Sequence, residues 1–212
     1  MRFASSAKVY PHQDGLLQTF VAHPARLLYK LPENVSLEQA SLVEPLSVVL
    51  NAAQRSNLAP GARVLVLGAG AVGVLACALA RALGAAHVTV ADINEARLEF
   101  ATRGKRFADV SYKIDTSKPR PASPQESIDA AKALATELVD RSVQDSSVGD
   151  EASAGFDIVF ECSGVESCMQ TAVFVRACPA RWATLALICF LQAAAPGGKA
   201  VYVGMGTSTA TL

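Results

Sequence analysis

The feature that most constrains this chain is a run of four apolar residues, Val64-Leu65-Val66-Leu67, followed at once by Gly68-Ala69-Gly70-Ala71-Val72-Gly73. A strand that is apolar at every position has to be buried on both faces. That is the habit of a central parallel strand covered by helices on each side. Residues 71–83 are alanine-rich, read as a helix, and stop at Gly84. Between such a strand and such a helix, the G-x-G-x-x-G spacing gives each glycine a task. Gly68 permits a tight turn, Gly70 leaves room for the backbone to approach a pyrophosphate, and Gly73 lets helix and strand pack closely. The unpaired amides and the dipole at the helix start attract phosphate. Asp92 follows Gly73 by about twenty residues, at the end of the second apolar run Val88-Thr89-Val90-Ala91. A carboxylate there accepts hydrogen bonds from the hydroxyls of an adenosine ribose and repels a 2′-phosphate. Strand, spacing, helix and acid together predict a dinucleotide site that prefers NAD to NADP.

The rest of the chain keeps the same alternation. Asn94 caps a helix expected over residues 95–104, and residues 110–114 form a weak third strand. Residues 115–124 hold three prolines and read as a loop. Residues 125–141 carry Ile128, Ala131, Leu134, Ala135, Leu138 and Val139 at helical spacing. Residues 142–155 are rich in Ser, Asp and Gly and read as mobile. A fourth strand is expected over 156–160, a helix over 165–175, and a fifth strand over 199–203 after Pro196-Gly197-Gly198. Such alternation implies a parallel, doubly wound α/β sheet with right-handed crossovers. Before it, residues 16–21 and 27–29 read as short strands or extended segments. Ser36 and Gln39 have the spacing of a capping box, and Pro45 suits the first turn of a helix running to about Arg55.

Composition narrows the function classes. Lys+Arg and Asp+Glu both number 19, so no excess charge favours a polyanion and nucleic acid is not an expected partner. The five cysteines include no C-x-x-C pair and their odd count builds no disulfide framework. They are expected to be reduced thiols of a cytoplasmic protein. The longest apolar stretch, residues 183–195, is too short to span a bilayer, so no membrane partner is expected. Residues 1–10 carry basic and hydroxyl side chains without an acid, faintly like a transit peptide, but lack the apolar core of a secretory signal. They read as a start that cuts into a domain.

A more specific resemblance rests on several stretches. Tyr29-Lys30-Leu31-Pro32-Glu33-Asn34-Val35-Ser36 and Leu42-Val43-Glu44-Pro45-Leu46-Ser47-Val48 resemble the domain-joining segment of sorbitol, xylitol and arabinitol dehydrogenases. Residues 64–73, Asp92, Arg97, Glu161-Cys162-Ser163-Gly164 and Val203-Gly204-Met205-Gly206 also match that zinc-dependent, medium-chain family. The likeness covers most of residues 8–175 and 196–212. It implies that Val72, Asp92 and Arg97 contact NAD, with Arg97 on the adenosine side. Val203, Gly204 and Met205 would line the nicotinamide end, with Cys162 near it; read alone, Cys162 is also a small buried residue. Glu44 resembles the glutamate beside the family's catalytic zinc, which coordinates the metal or orients its bound water. Read alone, it is an acid in the first turn of a helix. In the family, zinc lowers the pKa of a substrate hydroxyl and the alkoxide passes hydride to the nicotinamide, giving a ketose from a polyol.

The chain also departs from that pattern. The family's other zinc ligands, a cysteine and a histidine, lie in an N-terminal domain not found here, and His12 and His23 do not take their places. Glu44 alone cannot assemble a catalytic zinc site, which needs several protein ligands. The four-cysteine structural zinc lobe, a sixth strand and the returning part of the catalytic domain are also missing. Residues 176–195, with Trp182, intervene where the family passes almost directly into Pro-Gly-Gly. They read as an intron translated in frame or as a genuine added helix covering the sheet.

The expected architecture is therefore a remnant of a GroES-like catalytic domain with the joining helix, residues 1–55, followed by a Rossmann domain, 56–212. The expected function is NAD-linked oxidation of a secondary hydroxyl in a small polyol, in a chain that is catalytically incomplete. The alternative is a dinucleotide-binding module without chemistry. A zinc-free quinone reductase of the same superfamily would favour NADPH, against Asp92. A homo-oligomer is compatible with the sequence, which does not specify one.

Overall fold

The computed structural model describes residues 19–104, 107–117, 119, 121–144, 155–175 and 199–202. The chain divides into two compact units, Met1–Ser41 and Leu42–Leu212.

In the first unit, Pro24 precedes a single 3-10 turn, Ala25–Leu27, and Leu28 returns to extended backbone. Residues 27–29 therefore form no strand, and Leu28 is extended, the other form expected of this segment. Pro24 fixes φ at −59°, a value suited to entering a turn. Of the other expected segment, 16–21, residues 16–18 lie outside the described residues and 19–21 form no strand. The short helix α1, Leu37–Ala40, has the expected capping box. Ser36 Oγ accepts from the Gln39 N–H at 3.2 Å and Gln39 Oε1 accepts from the Ser36 N–H at 2.9 Å.

The second unit opens with α2, Val43–Ser56, which puts Pro45 in its first turn and ends on Asn57 in the left-handed region. It buries Val49, Ala52, Ala53 and Ser56, one face at helical spacing. Then come β1 (Arg63–Leu67), α3 (Ala71–Ala82), β2 (His87–Asp92), α4 (Glu95–Glu99), β3 (Val110–Lys113), α5 (Pro124–Gln144), β4 (Ile158–Glu161), α6 (Glu166–Phe174) and β5 (Lys199–Tyr202). The helix expected over 95–104 is α-helical only to Glu99 and widens into a π turn, Phe100–Gly104. The Ala101 carbonyl there accepts from the N–H groups of both Phe107 and Ala108.

All strand pairs are parallel and the sheet order is β3-β2-β1-β4-β5. The chain thus winds outward from β1 in one direction and, after β3, crosses back to wind in the other. Alternate residues of each central strand serve the two faces. Val64, Val66, Val88, Val90, Ile158 and Phe160 pack with α2, α3 and Leu98 of α4. Leu65, Leu67, Ala91 and Val159 pack with Ala135 and Leu138 of α5 and Cys168 and Ala172 of α6. The four side chains of residues 64–67 are fully buried. Each such burial stabilises the fold by roughly 1.5–3 kcal/mol, which explains the unbroken apolar run. At the opposite end of the sheet, Arg63 ties β1 to its neighbours. Its N–H donates to Asp157 Oδ2 at 2.8 Å, and its guanidinium donates to the Gly155 and Ser142 carbonyls, each at 3.0 Å.

Candidate functional site: the crevice between β1 and β4

The strand order reverses between β1 and β4, so the loops leaving their C-terminal ends diverge to opposite faces and leave a crevice. The loop from β1 is the glycine turn. Gly68 lies at φ +101°, a region closed to most side chains, and its N–H donates to the Ala91 carbonyl at 2.7 Å. A Cβ on Gly73 would stand 1.8 Å from the Gly68 carbonyl oxygen. No residue with a side chain can occupy that position without displacing the turn. At Gly70 the situation is opposite: a Cβ there would meet nothing within 4 Å. The space beside it is open, as the approach of a ligand requires.

Gly70 is the N-cap of α3, and no side chain caps that end. The first amides of the helix have no partner within it and point toward the crevice entrance, carrying the positive end of the dipole. This backbone fits a diphosphate. Val72, in the first turn, is half-buried and packs against the core.

Asp92 ends β2 and is only 7% exposed. Its carboxylate is held by two backbone donors. Oδ2 accepts from the Ala69 N–H at 2.6 Å and Oδ1 from the Asn94 N–H at 2.8 Å. Each oxygen keeps a further lone pair for a ligand hydroxyl. Arg97 is exposed on α4, where its N–H donates to the capping Asn94 Oδ1 at 3.2 Å. Ile93, directly after Asp92, is 60% exposed.

The loop from β4 forms the other wall. Leu67 and Glu161 are register partners, and the Cys162 N–H donates to the Leu67 carbonyl at 2.8 Å. The two loops approach backbone to backbone: a Cβ on Gly68 would lie 3.0 Å from the Ser163 nitrogen and 3.1 Å from the Cys162 carbonyl carbon. Cys162 is half-buried and packs against the core. Burial pushes its thiol well above the ordinary range, raises that of Cys168, and pushes that of Cys77 up to about 12. None of the three is poised as a thiolate nucleophile.

The sequence reading assigned no task to Glu161, yet it is the fully buried carboxylate of this wall. Its Oε1 accepts from the Ser163 N–H at 2.8 Å, from the Ser163 hydroxyl and from the Gly164 N–H at 3.1 Å. Oε2 lies 3.2 Å from the same Gly164 nitrogen. Burial raises its pKa above the ordinary value, against the lowering effect of those donors. The signal was legible as an acid closing the apolar run Ile158-Val159-Phe160, just before a Ser-Gly turn.

Glu44 sits exposed in the first turn of α2, where the Ser47 hydroxyl donates to its backbone carbonyl at 2.6 Å. Among the described residues no three His, Cys, Asp or Glu side chains converge as a metal site. Those residues therefore do not fit a catalytic zinc. Val203, Gly204 and Met205, and the segment 176–195, lie outside the described residues. Among the described residues no helix is long and apolar enough to cross a membrane.

Three comparisons bear on this geometry. Residues 49–148 match the family model for the C-terminal domain of alanine dehydrogenase/PNT. The chain is 34% identical over 212 residues to D-xylulose reductase A of Aspergillus oryzae, which takes in all of this chain and 47% of that protein. It is 35% identical over 208 residues to a probable D-xylulose reductase A of Aspergillus fumigatus, covering 98% of this chain and 46% of the relative. Among solved structures, L-idonate 5-dehydrogenase from Escherichia coli superposes with a TM-score of 0.64 at 26% identity, over 99% of this chain and 47% of that one. The chain thus spans about half the length of the curated relatives it matches.

Proposed function

We propose that this chain belongs to the medium-chain polyol dehydrogenases and supplies the NAD-binding half of an enzyme oxidising a secondary hydroxyl of a small polyol to a ketone. The observation that carries this reading is the glycine turn. An uncapped helix start, open space at Gly70 and a pinned Asp92 meet at the sheet's switch point. In this reading the amides after Gly70 hold the pyrophosphate, and Gly68 and Gly73 give the turn its shape. Val72 packs beneath the bound cofactor, Asp92 accepts from the adenosine ribose and Arg97 lies on the adenosine side. The charge of Asp92 disfavours a 2′-phosphate, hence NAD over NADP. Cys162, Val203, Gly204 and Met205 are assigned to the nicotinamide end by the family likeness. NAD, when bound, accepts hydride from the substrate carbon; the residues of this chain bind and orient it.

Glu44 is assigned to the edge of the family's zinc site, with ligands that the described residues do not supply. Residues 1–55 are assigned to the catalytic domain and its joining helix, and 56–212 to the nucleotide domain. A calorimetric titration with NAD and with NADP tests the cofactor assignment. Saturable binding of NAD, markedly tighter than NADP, is expected. A folded sample that binds neither overturns the reading. Binding of NAD without turnover, even with zinc and polyols supplied, would favour the non-catalytic module.

A further inference from the structure

The β4 loop contains a group that the cofactor assignment does not use. Glu161 is an acid with no solvent exposure, at the register position next to the last residue of β1. Among the described residues its carboxylate's hydrogen-bond partners all donate: two backbone N–H groups and one hydroxyl. The Ser163 oxygen in turn accepts from the Val165 N–H at 3.2 Å. Gly164, at φ +71°, completes a turn that only such a set of donors and acceptor holds closed. That turn lies against Gly68 with no room for a methyl group between them. Its position therefore sets how far the β4 wall stands from the glycine turn.

We propose that Glu161 is a positioning residue of the cofactor site. Its ionised carboxylate holds the 162–164 turn against Gly68 and so fixes the crevice width that a bound dinucleotide meets, without touching the dinucleotide. This rests on the dinucleotide reading of the crevice.

Protonation makes the argument testable. A neutral carboxyl accepts more weakly and must itself donate one hydrogen; among the described residues the site offers two N–H groups and the Ser163 oxygen, which would have to give up its own donation to Glu161 to receive it. Protonation therefore loosens the turn and weakens cofactor binding. The ionisable groups around Glu161 are the Cys162 and Cys168 thiols, both kept neutral by burial. Asp92 lies beyond β1, and Tyr202 is the register partner of Glu161 on β5. Among the described residues no cation pairs with it. The direction of its shift separates this role from simple scaffolding. A carboxylate whose folded pKa is raised binds its proton more tightly folded than unfolded, so its ionisation lowers fold stability as pH rises. Cofactor affinity should move the other way and rise with pH.

The experiment is a titration of the full chain with NAD from mildly alkaline to mildly acidic pH, for the wild type, Glu161→Gln and Ser163→Ala, with thermal melts alongside. Glu161→Gln places an amide N–H₂ among donors. It should bind NAD about tenfold more weakly at neutral pH, melt no lower than the wild type, and lose the wild type's acid limb. Ser163→Ala removes a donor that favours the ionised form, so its acid limb should move to higher pH. If Glu161→Gln does not fold, the Ser163→Ala displacement decides. A Glu161→Gln protein with wild-type affinity and acid limb, or an undisplaced limb in Ser163→Ala, overturns the proposal alone. A folded wild type that binds no NAD at any pH overturns the cofactor reading and this one with it.

Discussion

At the end of β1, the glycine turn is built from a few consecutive residues and held by one acid from the neighbouring strand. At the start of α2, an exposed carboxylate, Glu44, stands in a helical turn, and among the described residues no group of three metal ligands gathers there. Both places are singled out by the same family likeness. They differ in how their chemistry is built. The glycine turn acts through backbone, whose amides are placed by the strand and helix themselves. A metal site acts through side chains from segments distant in sequence, and one of its members says little without the others.

Substitutions can break or sharpen that contrast. The largest effect should come from Gly73→Val, because its Cβ would collide with the Gly68 carbonyl. NAD binding should be lost, and a thermal or denaturant melt should show destabilisation of about 3 kcal/mol. Asp92→Ala should weaken NAD by roughly ten- to a hundredfold and narrow the gap to NADP in the same titration. It also frees the Ala69 and Asn94 amides, so a modest fall in melting temperature should accompany it. Gly70→Ala isolates the ligand from the fold. Its φ of −72° suits any residue and its Cβ meets nothing. Stability should hold or rise by up to about 1 kcal/mol while NAD affinity falls about tenfold. Glu44→Gln should do least. Both stability, within about 0.5 kcal/mol, and NAD affinity should be unchanged. A large loss of NAD affinity there would erase the distinction between the two regions.

What could be read in the residues follows the same division. The strands β1, β2 and β4 declare themselves because their middles are buried on both faces, so their central positions, Thr89 apart, are apolar. The glycine spacing declares the turn because each glycine answers a local steric demand. Asp92 could be placed at a strand end, but its capture by the Ala69 N–H needs three-dimensional knowledge of where β1's loop bends. Residues 27–29 could be read only as a strand or an extended segment, because Leu27-Leu28-Tyr29 is apolar without alternation; Leu28 is extended, and the residues are largely exposed and join no strand. The widening of α4 at Phe100 left no trace in the pattern, because a single π turn of five residues is too short for its longer period to show. Glu161 escaped because hydrophobic periodicity reads a terminal acid as the end of a strand, not as a ligand for the turn beyond it. Zinc chemistry was legible only through resemblance, since no spacing in this chain encodes it.

The hold of Asp92 on the Ala69 amide also has a kinetic meaning. Ala69 belongs to no helix or strand, and a loop amide ordinarily exchanges its hydrogen with water quickly. This one is buried and donates to a carboxylate that is itself fixed at the edge of β2. Its exchange should be as slow as that of the central strands and should quicken only when the corner between β1 and β2 opens. The Asp92 carboxylate is therefore set in place by its own backbone donors, and in the proposed role of ribose acceptor it would lose little further ordering entropy on binding. A single loop amide then reports whether this end of the sheet is ready to bind.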